Sequence, residues 1–84
     1  MNWITILGLI AAFCTTIAFL PQVIKTIKSK QTNDISLLMY IVLTTGVSLW
    51  FIYGLLIGDL PLIVANGITF IFALIVLILK IYHG

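Results

Sequence analysis

Two side chains could bind a polar but uncharged molecule within otherwise apolar sequence. Trp50 and Asn66 stand in long stretches that contain no charged residue. The flat indole of a tryptophan suits the apolar C–H face of a ring, and an asparagine carboxamide offers donors and an acceptor to paired hydroxyl groups. A tryptophan and an asparagine at one level would therefore suit a polyhydroxylated neutral solute.

The spacing of the two residues from one turn places them at similar depth. Trp50 precedes Gly58 by eight residues, about 12 Å of helix, and Asn66 follows Leu60 by six residues, about 9 Å. Each residue also has a purely structural interpretation. Trp50 could be a buried packing residue, and Asn66 could form one interhelical hydrogen bond worth about 1 kcal/mol.

Three uncharged stretches must carry these residues, and they cover residues 3–24, 35–58 and 60–79. Of the 84 residues, 63% are hydrophobic and 7% are charged, which leaves too little polar surface for a small soluble domain. Each stretch is long enough to cross about 30 Å of hydrocarbon as a helix, the structure that satisfies the backbone in lipid. We expect an all-α membrane protein, a single domain over residues 1–84 with three permanent spans in the lipid bilayer.

The positions of the lysines predict the orientation in the membrane. Lys25, Lys28 and Lys30 follow the first span and Lys80 follows the third, whereas the other two ends of the spans lack lysine and arginine. Because cytoplasmic segments are enriched in positive charge, the N-terminus should lie outside and the C-terminus in the cytoplasm of a bacterial inner membrane. The net charge of +2 is explained by this asymmetry, and we expect no nucleic-acid partner.

The spans contain no Asp, Glu, Lys, Arg or His. Ion-driven transporters usually hold an ionisable group within the membrane, so the sequence favours passive movement of a neutral solute, or no transport. It contains no nucleophile–base pair and no metal-ligand spacing, and we expect neither an enzyme nor a cofactor or metal. Cys14, the single cysteine, is interpreted as a packing residue.

Turn residues and small residues predict how the spans pack. Gly58 should end the second span in a left-handed turn, Asp59 should cap the third, and Pro61 fits its first turn. The second and third spans should therefore be antiparallel neighbours. The candidate N-caps of the second span are Thr32, Asn33 and Asp34. A stripe that permits close helix packing consists of Gly8, Ala12 and Thr16.

The pair Pro21-Gln22 stands near the cytoplasmic end of the first span. A proline there removes the hydrogen bond to the Ile17 carbonyl and predicts a kink that could act as a hinge. The Gln22 side chain could then satisfy backbone groups that the kink frees. The alternative is a helix that ends among the lipid headgroups, where a proline costs little.

Three segments closely resemble the bacterial SemiSWEET sugar transporters, namely FLPQVIKTIKSKQTNDIS, GVSLWFIYG and DLPLIVANGITF. The first also resembles the PQ-loop motif, and together they extend over nearly the whole chain. The resemblance implies a three-helix bundle whose third helix packs between the first and second. It also implies a parallel homodimer that moves mono- or disaccharides by facilitated diffusion with alternating access.

The same resemblance implies roles for individual residues in the pocket and the inner gate. Trp50 and Asn66 would line the sugar pocket, and Pro21 with Gln22 would form the hinge of the inner gate. Two further residues assigned to the inner gate, because they are bulky and near the cytoplasmic level, are Phe19 and Met39.

The outer gate would consist of Tyr53 and Asp59. Tyr53 follows Trp50 by three residues on one helical face and is either an interfacial aromatic or a lid. Members of the family often carry an arginine two residues before this Asp, where the chain has Ile57. An Arg–Asp pair is therefore excluded here. The competing hypothesis for the whole chain is a small structural subunit that packs against other membrane proteins through Trp50 and Asn66.

Overall fold

The fold consists of three helices, α1 (Trp3–Ser29), α2 (Leu37–Ile57) and α3 (Leu60–His83). They are seen in a computed structural model that describes residues 2–33 and 35–84. All three are long and apolar enough to cross a membrane. The molecule measures 44 × 23 × 13 Å, so it is about twice as long as it is wide, as expected for a bundle of three long helices.

The middle helix of the bundle is α3. It packs against both α1 and α2, whereas no Cα atom of α1 comes within 8 Å of α2 among the described residues. The predicted three-helix bundle, with the third helix between the first and second, is confirmed. The buried apolar side chains are few and small, and they are Ala12, Val23, Val47, Ala73 and Val76.

Close contact between α1 and α3 depends on Gly8. A β-carbon at this position would lie 2.6 Å from Cγ of Pro61 in the first turn of α3. Ala12, one turn further along α1, is buried, and Thr16 is half-buried. The predicted stripe of small residues is therefore a packing face.

The turn between α2 and α3 has the predicted chemistry. Gly58 ends α2 with a φ of 69°, a left-handed conformation that glycine adopts without steric cost. The Asp59 carboxylate accepts a hydrogen bond from the Leu62 N–H at 3.1 Å, and Pro61 lies in the first turn of α3. Gly54 lets the helices stay close, because a β-carbon there would lie 3.0 Å from Cβ of Leu62.

The predicted N-cap of α2 is wrong. The cap is Ser36, whose hydroxyl accepts from the Met39 N–H at 3.1 Å. Thr32 lies earlier, in a turn where its carbonyl accepts from the Ile35 N–H at 3.1 Å, and this turn delays the start of the helix. Asn33 lies in the turn and is not the cap, and Asp34 lies outside the described residues.

The end of α1 also differs from the prediction, which stopped the span at Ile24. The helix continues through Pro21 to Ser29 and ends with Lys30 in a left-handed conformation, its N–H bonded to the Thr26 carbonyl at 2.9 Å. Lysine side chains can extend to water from a helix at the membrane surface, so the basic residues do not end the helix. Pro21 therefore does not mark a helix end.

We predict that Gly8→Ala destabilises the bundle, whereas Gly46→Ala does not. Both changes gain about 1 kcal/mol of helix propensity. Only the first inserts a methyl group against a rigid proline ring, which should cost about 1–3 kcal/mol through overpacking; a β-carbon at position 46 meets no atom within 4 Å. Thermal unfolding in detergent, followed by circular dichroism, measures the difference. Equal melting temperatures for the two variants would contradict the close α1–α3 contact.

Candidate functional site

The side chains of Trp50 and Tyr53 lie next to each other on α2, and both are exposed. Their ring centroids are 5.6 Å apart and their planes meet at 85°, an edge-to-face arrangement worth about 0.5–1.5 kcal/mol. Trp50 is 54% exposed and Tyr53 is 49% exposed. Trp50 is therefore not a buried packing residue within the chain, and the tyrosine helps to fix the orientation of an indole whose surface is open.

Asn66 is half-buried on α3. Its Nδ2 donates a hydrogen bond to the Leu62 carbonyl of the same helix at 3.0 Å. Among the residues that the structure describes, no hydrogen bond joins it to another helix, so the expected interhelical bond is not observed. The carboxamide oxygen and the second N–H, which Leu62 does not use, are the groups with which Asn66 could bind a ligand.

The outer end of the molecule contains Asp59, in a groove shared with Thr5, Ile57 and Gly58. One carboxylate oxygen is engaged as the N-cap of α3. The four lysines of the sequence follow the opposite ends of the spans, so among the described residues no lysine or arginine lies at this end. Ile57 is 53% exposed and presents an apolar surface beside it.

The half of the molecule that contains the α1–α2 loop has a cavity of about 260 Å³ between all three helices and that loop. Phe19 and Gln22 line it, as does Tyr40 of α2. Phe19 also stacks on Phe72 of α3, with ring centroids 5.9 Å apart and planes at 19°. Phe19 and Gln22, two of the four residues that the sequence assigned to the inner gate, therefore line the same cavity.

Met39 and Gln22 depart from what the sequence suggested for them. Met39 is 54% exposed and is not part of the cavity wall, whereas its neighbour Tyr40 is; successive residues of a helix point about 100° apart. The Gln22 side chain makes no hydrogen bond within the described ranges; the backbone carbonyl of Gln22 accepts a hydrogen bond from the Thr26 hydroxyl at 2.9 Å. The predicted repair of the backbone by Gln22 is not observed.

Lys80 has a role that the sequence did not predict. Its ammonium group donates to the Thr32 carbonyl and to the Gly84 carbonyl, at 3.0 Å each. Thr32 is 1% exposed, so the end of α3 holds the α1–α2 loop against the bundle. The two residues are 48 positions apart, and no local pattern indicates such a contact.

Three helices long and apolar enough to cross a membrane define a multi-pass membrane protein. A family model for the PQ loop repeat matches residues 3–63. The sugar transporter SemiSWEET of Leptospira biflexa is 51% identical over 79 residues, 94% of this chain and 93% of that protein. The chain belongs to the SemiSWEET group of the PQ-loop family.

Two further relatives agree with this assignment. The sugar transporter SemiSWEET of Bradyrhizobium diazoefficiens is 47% identical over 81 residues, 96% of this chain and 94% of that protein. A solved structure of SemiSWEET in the inward-open conformation superposes with a TM-score of 0.92 at 44% identity, over 98% of this chain and 88% of the other.

Proposed function

We propose that the chain is a passive sugar transporter that works by alternating access as a parallel homodimer. The observation that carries the proposal is the match, over more than nine-tenths of the chain, to proteins named as sugar transporters. The relatives are transporters by name, so we propose transport and not catalysis. The proposed location is the bacterial inner membrane, with the N-terminus outside, because the lysines follow the opposite ends of the spans.

The exposure of the candidate pocket residues supports the dimer. Trp50 is 54% exposed and Tyr53 is 49% exposed, so a single copy does not enclose a sugar at these residues. Two copies inserted in the same direction, related by an axis along the membrane normal, would enclose a path between them. The exposed aromatic surfaces of Trp50 and Tyr53 would then face this path.

The proposed pocket uses the two residues for different parts of a sugar. The open indole of Trp50 would stack on the C–H face of the ring. Asn66 would bind hydroxyl groups with its carboxamide oxygen and its second N–H. Its bond to Leu62 fixes the orientation of the amide before the sugar arrives, which reduces the entropy lost on binding.

The proposed gates lie on the two sides of this pocket. On the outer side Tyr53 and Asp59 would close by packing against the second copy, since Ile57 excludes an arginine pair. On the cytoplasmic side Pro21 and Gln22 would form the hinge. The bulky side chains that would close the inner gate are Phe19 and Met39.

The experiment that tests the proposal measures uptake of radiolabelled mono- and disaccharides into proteoliposomes. We expect uptake to stop when the inside and outside concentrations are equal. A pH gradient or a membrane potential imposed near neutrality should not change this endpoint, because the spans hold no ionisable group that could carry the coupled charge. No uptake of any sugar would refute transport, and accumulation driven by a proton gradient would refute the passive mechanism.

We predict that Trp50→Ala and Asn66→Ala give folded dimers that transport poorly. An unpaired polar group in a closed site costs about 1–3 kcal/mol, so sugar affinity should fall roughly five- to a hundred-fold for Asn66→Ala. Trp3→Ala is the matched control, since Trp3 is 71% exposed near the end of α1. Binding and transport per folded dimer are the measurements. If both pocket variants unfold while transport per folded dimer is unchanged, Trp50 and Asn66 are structural contacts.

We predict that Pro21→Ala slows transport without loss of stability. Because α1 continues beyond Pro21, alanine restores a hydrogen bond to the Ile17 carbonyl and should stabilise the straight helix. A shift of about 1.4 kcal/mol between gate states changes their populations tenfold, and alternating access needs both states. Transport should fall about tenfold while sugar still binds.

Pro21→Gly is the matched variant, because glycine also restores the N–H but keeps a bend accessible. Pro21→Gly should retain more transport activity than Pro21→Ala. Exchange transport and binding are measured for both variants in the same liposomes. Parental transport by Pro21→Ala would show that the proline is not a hinge.

A further inference from the structure

The face of α1 turned away from α3 carries a groove that is apolar along most of its length and cationic at one end. Ile17, Pro21, Ile24 and Lys28 lie along it at helical spacing. The remaining lining residues are Leu20, Lys25 and Ser29. The α1 residues that α3 buries, Ala12 and Val23, lie on the opposite side of the helix, so the groove is not covered by its own chain.

The two halves of the groove match the two parts of a membrane lipid. The apolar walls lie in the uncharged part of α1, at hydrocarbon depth, and the lysines follow within one to two turns toward the cytoplasmic surface. Lys25 and Lys28, three residues apart, are neighbours on the helix surface. We propose that the groove binds one anionic phospholipid of the cytoplasmic leaflet, with an acyl chain along Ile17, Leu20 and Ile24 and its phosphate between the two lysines.

A second copy of the chain fits this groove less well. The sequence has two acidic residues, and one of them, Asp59, caps α3 at the far end of the molecule. A parallel copy would bring its own lysines to the same level and only Asp34 to oppose them. An anionic lipid supplies both the negative charge and the apolar chain, and it is concentrated in the leaflet that the lysines face.

Native mass spectrometry of the purified full chain tests the proposal with phosphatidylglycerol and phosphatidylcholine of identical acyl chains. We expect preferential retention of phosphatidylglycerol. Lys28→Gln should lower this retention about fivefold. Lys30→Gln removes the same charge from an exposed residue outside the groove and should leave retention unchanged. Equal losses for the two variants would show diffuse charge attraction and overturn the site.

A second arm tests the apolar half. Ile17→Trp fills the groove and keeps both lysines, and Ile17 is 51% exposed, so folding should be maintained. We expect this variant to lose its bound phosphatidylglycerol. We also expect that neither the parent protein nor the variants retain glycerol 3-phosphate, which carries a phosphate but no acyl chain. Unchanged lipid retention by Ile17→Trp, or retention of the free phosphate, would overturn a lipid site.

A third arm asks whether a second copy covers the groove. Ile24→Cys is made in a Cys14→Ala background, so that the chain has one cysteine, and the protein is oxidised in liposomes. The proposal expects no disulfide-linked dimer, because lipid separates residue 24 from any other copy. Rapid and complete cross-linking through residue 24 would assign the groove to the dimer and overturn the proposal. None of these measurements depends on sugar transport.

Discussion

The structure depends on how closely α3 approaches its two neighbours. In lipid, apolar surface gives helices no reason to associate, so packing must come from close backbone contact at small residues. Gly8 makes that contact with α1, since a β-carbon on it would lie 2.6 Å from the Pro61 ring, and Gly54 makes it with α2, where the corresponding distance to Leu62 is 3.0 Å. Both contacts use the first turn of α3, so the three helices are held together at the end that contains the α2–α3 turn.

The opposite ends of the helices, near the α1–α2 loop, are held differently. There the contacts are the stacked rings of Phe19 and Phe72 and the ammonium group of Lys80 on the loop at Thr32. A cavity of about 260 Å³ lies beside them, and Pro21 removes a backbone hydrogen bond from the same part of α1. The two halves of α1 are therefore held by different kinds of contact, close backbone approach at Gly8 and side-chain contacts at Phe19.

Features governed by local chemistry were predictable from the sequence. The three spans were predicted from the stretches that lack charged residues. The α2–α3 turn was predicted because glycine favours a helix C-terminus, aspartate favours an N-cap and proline favours the first turn of a helix. The position of α3 in the middle came from the resemblance to a family. Periodicity did not indicate it, because all three helices are apolar on every side.

Features governed by distant contacts were not predictable. Four residues near the start of α2 are of types that can cap a helix, and Ser36 is the one that does so. It follows a turn at Thr32 whose carbonyl accepts a hydrogen bond from Lys80, 48 positions away. Lys25 marks the end of the first uncharged stretch, but it does not mark the end of α1, which continues to Ser29. For the candidate site, the spacing of three residues correctly predicted that Trp50 and Tyr53 are neighbours on α2, but it did not indicate that Tyr40 lines the cavity beside Phe19.

The absence of an arginine near Asp59 has a physical explanation in the turn itself. The carboxylate accepts the Leu62 N–H at the start of α3, where the unpaired N–H groups and the helix dipole favour a negative charge by about 0.3–1 kcal/mol. The turn therefore gives the Asp59 carboxylate a hydrogen-bond partner without a basic side chain beside it, and position 57 is free to be isoleucine. An outer gate built on this turn would close through aromatic and aliphatic surface, with Tyr53 held by Trp50 on one side of the path, so that closure and sugar binding would involve the same pair of rings.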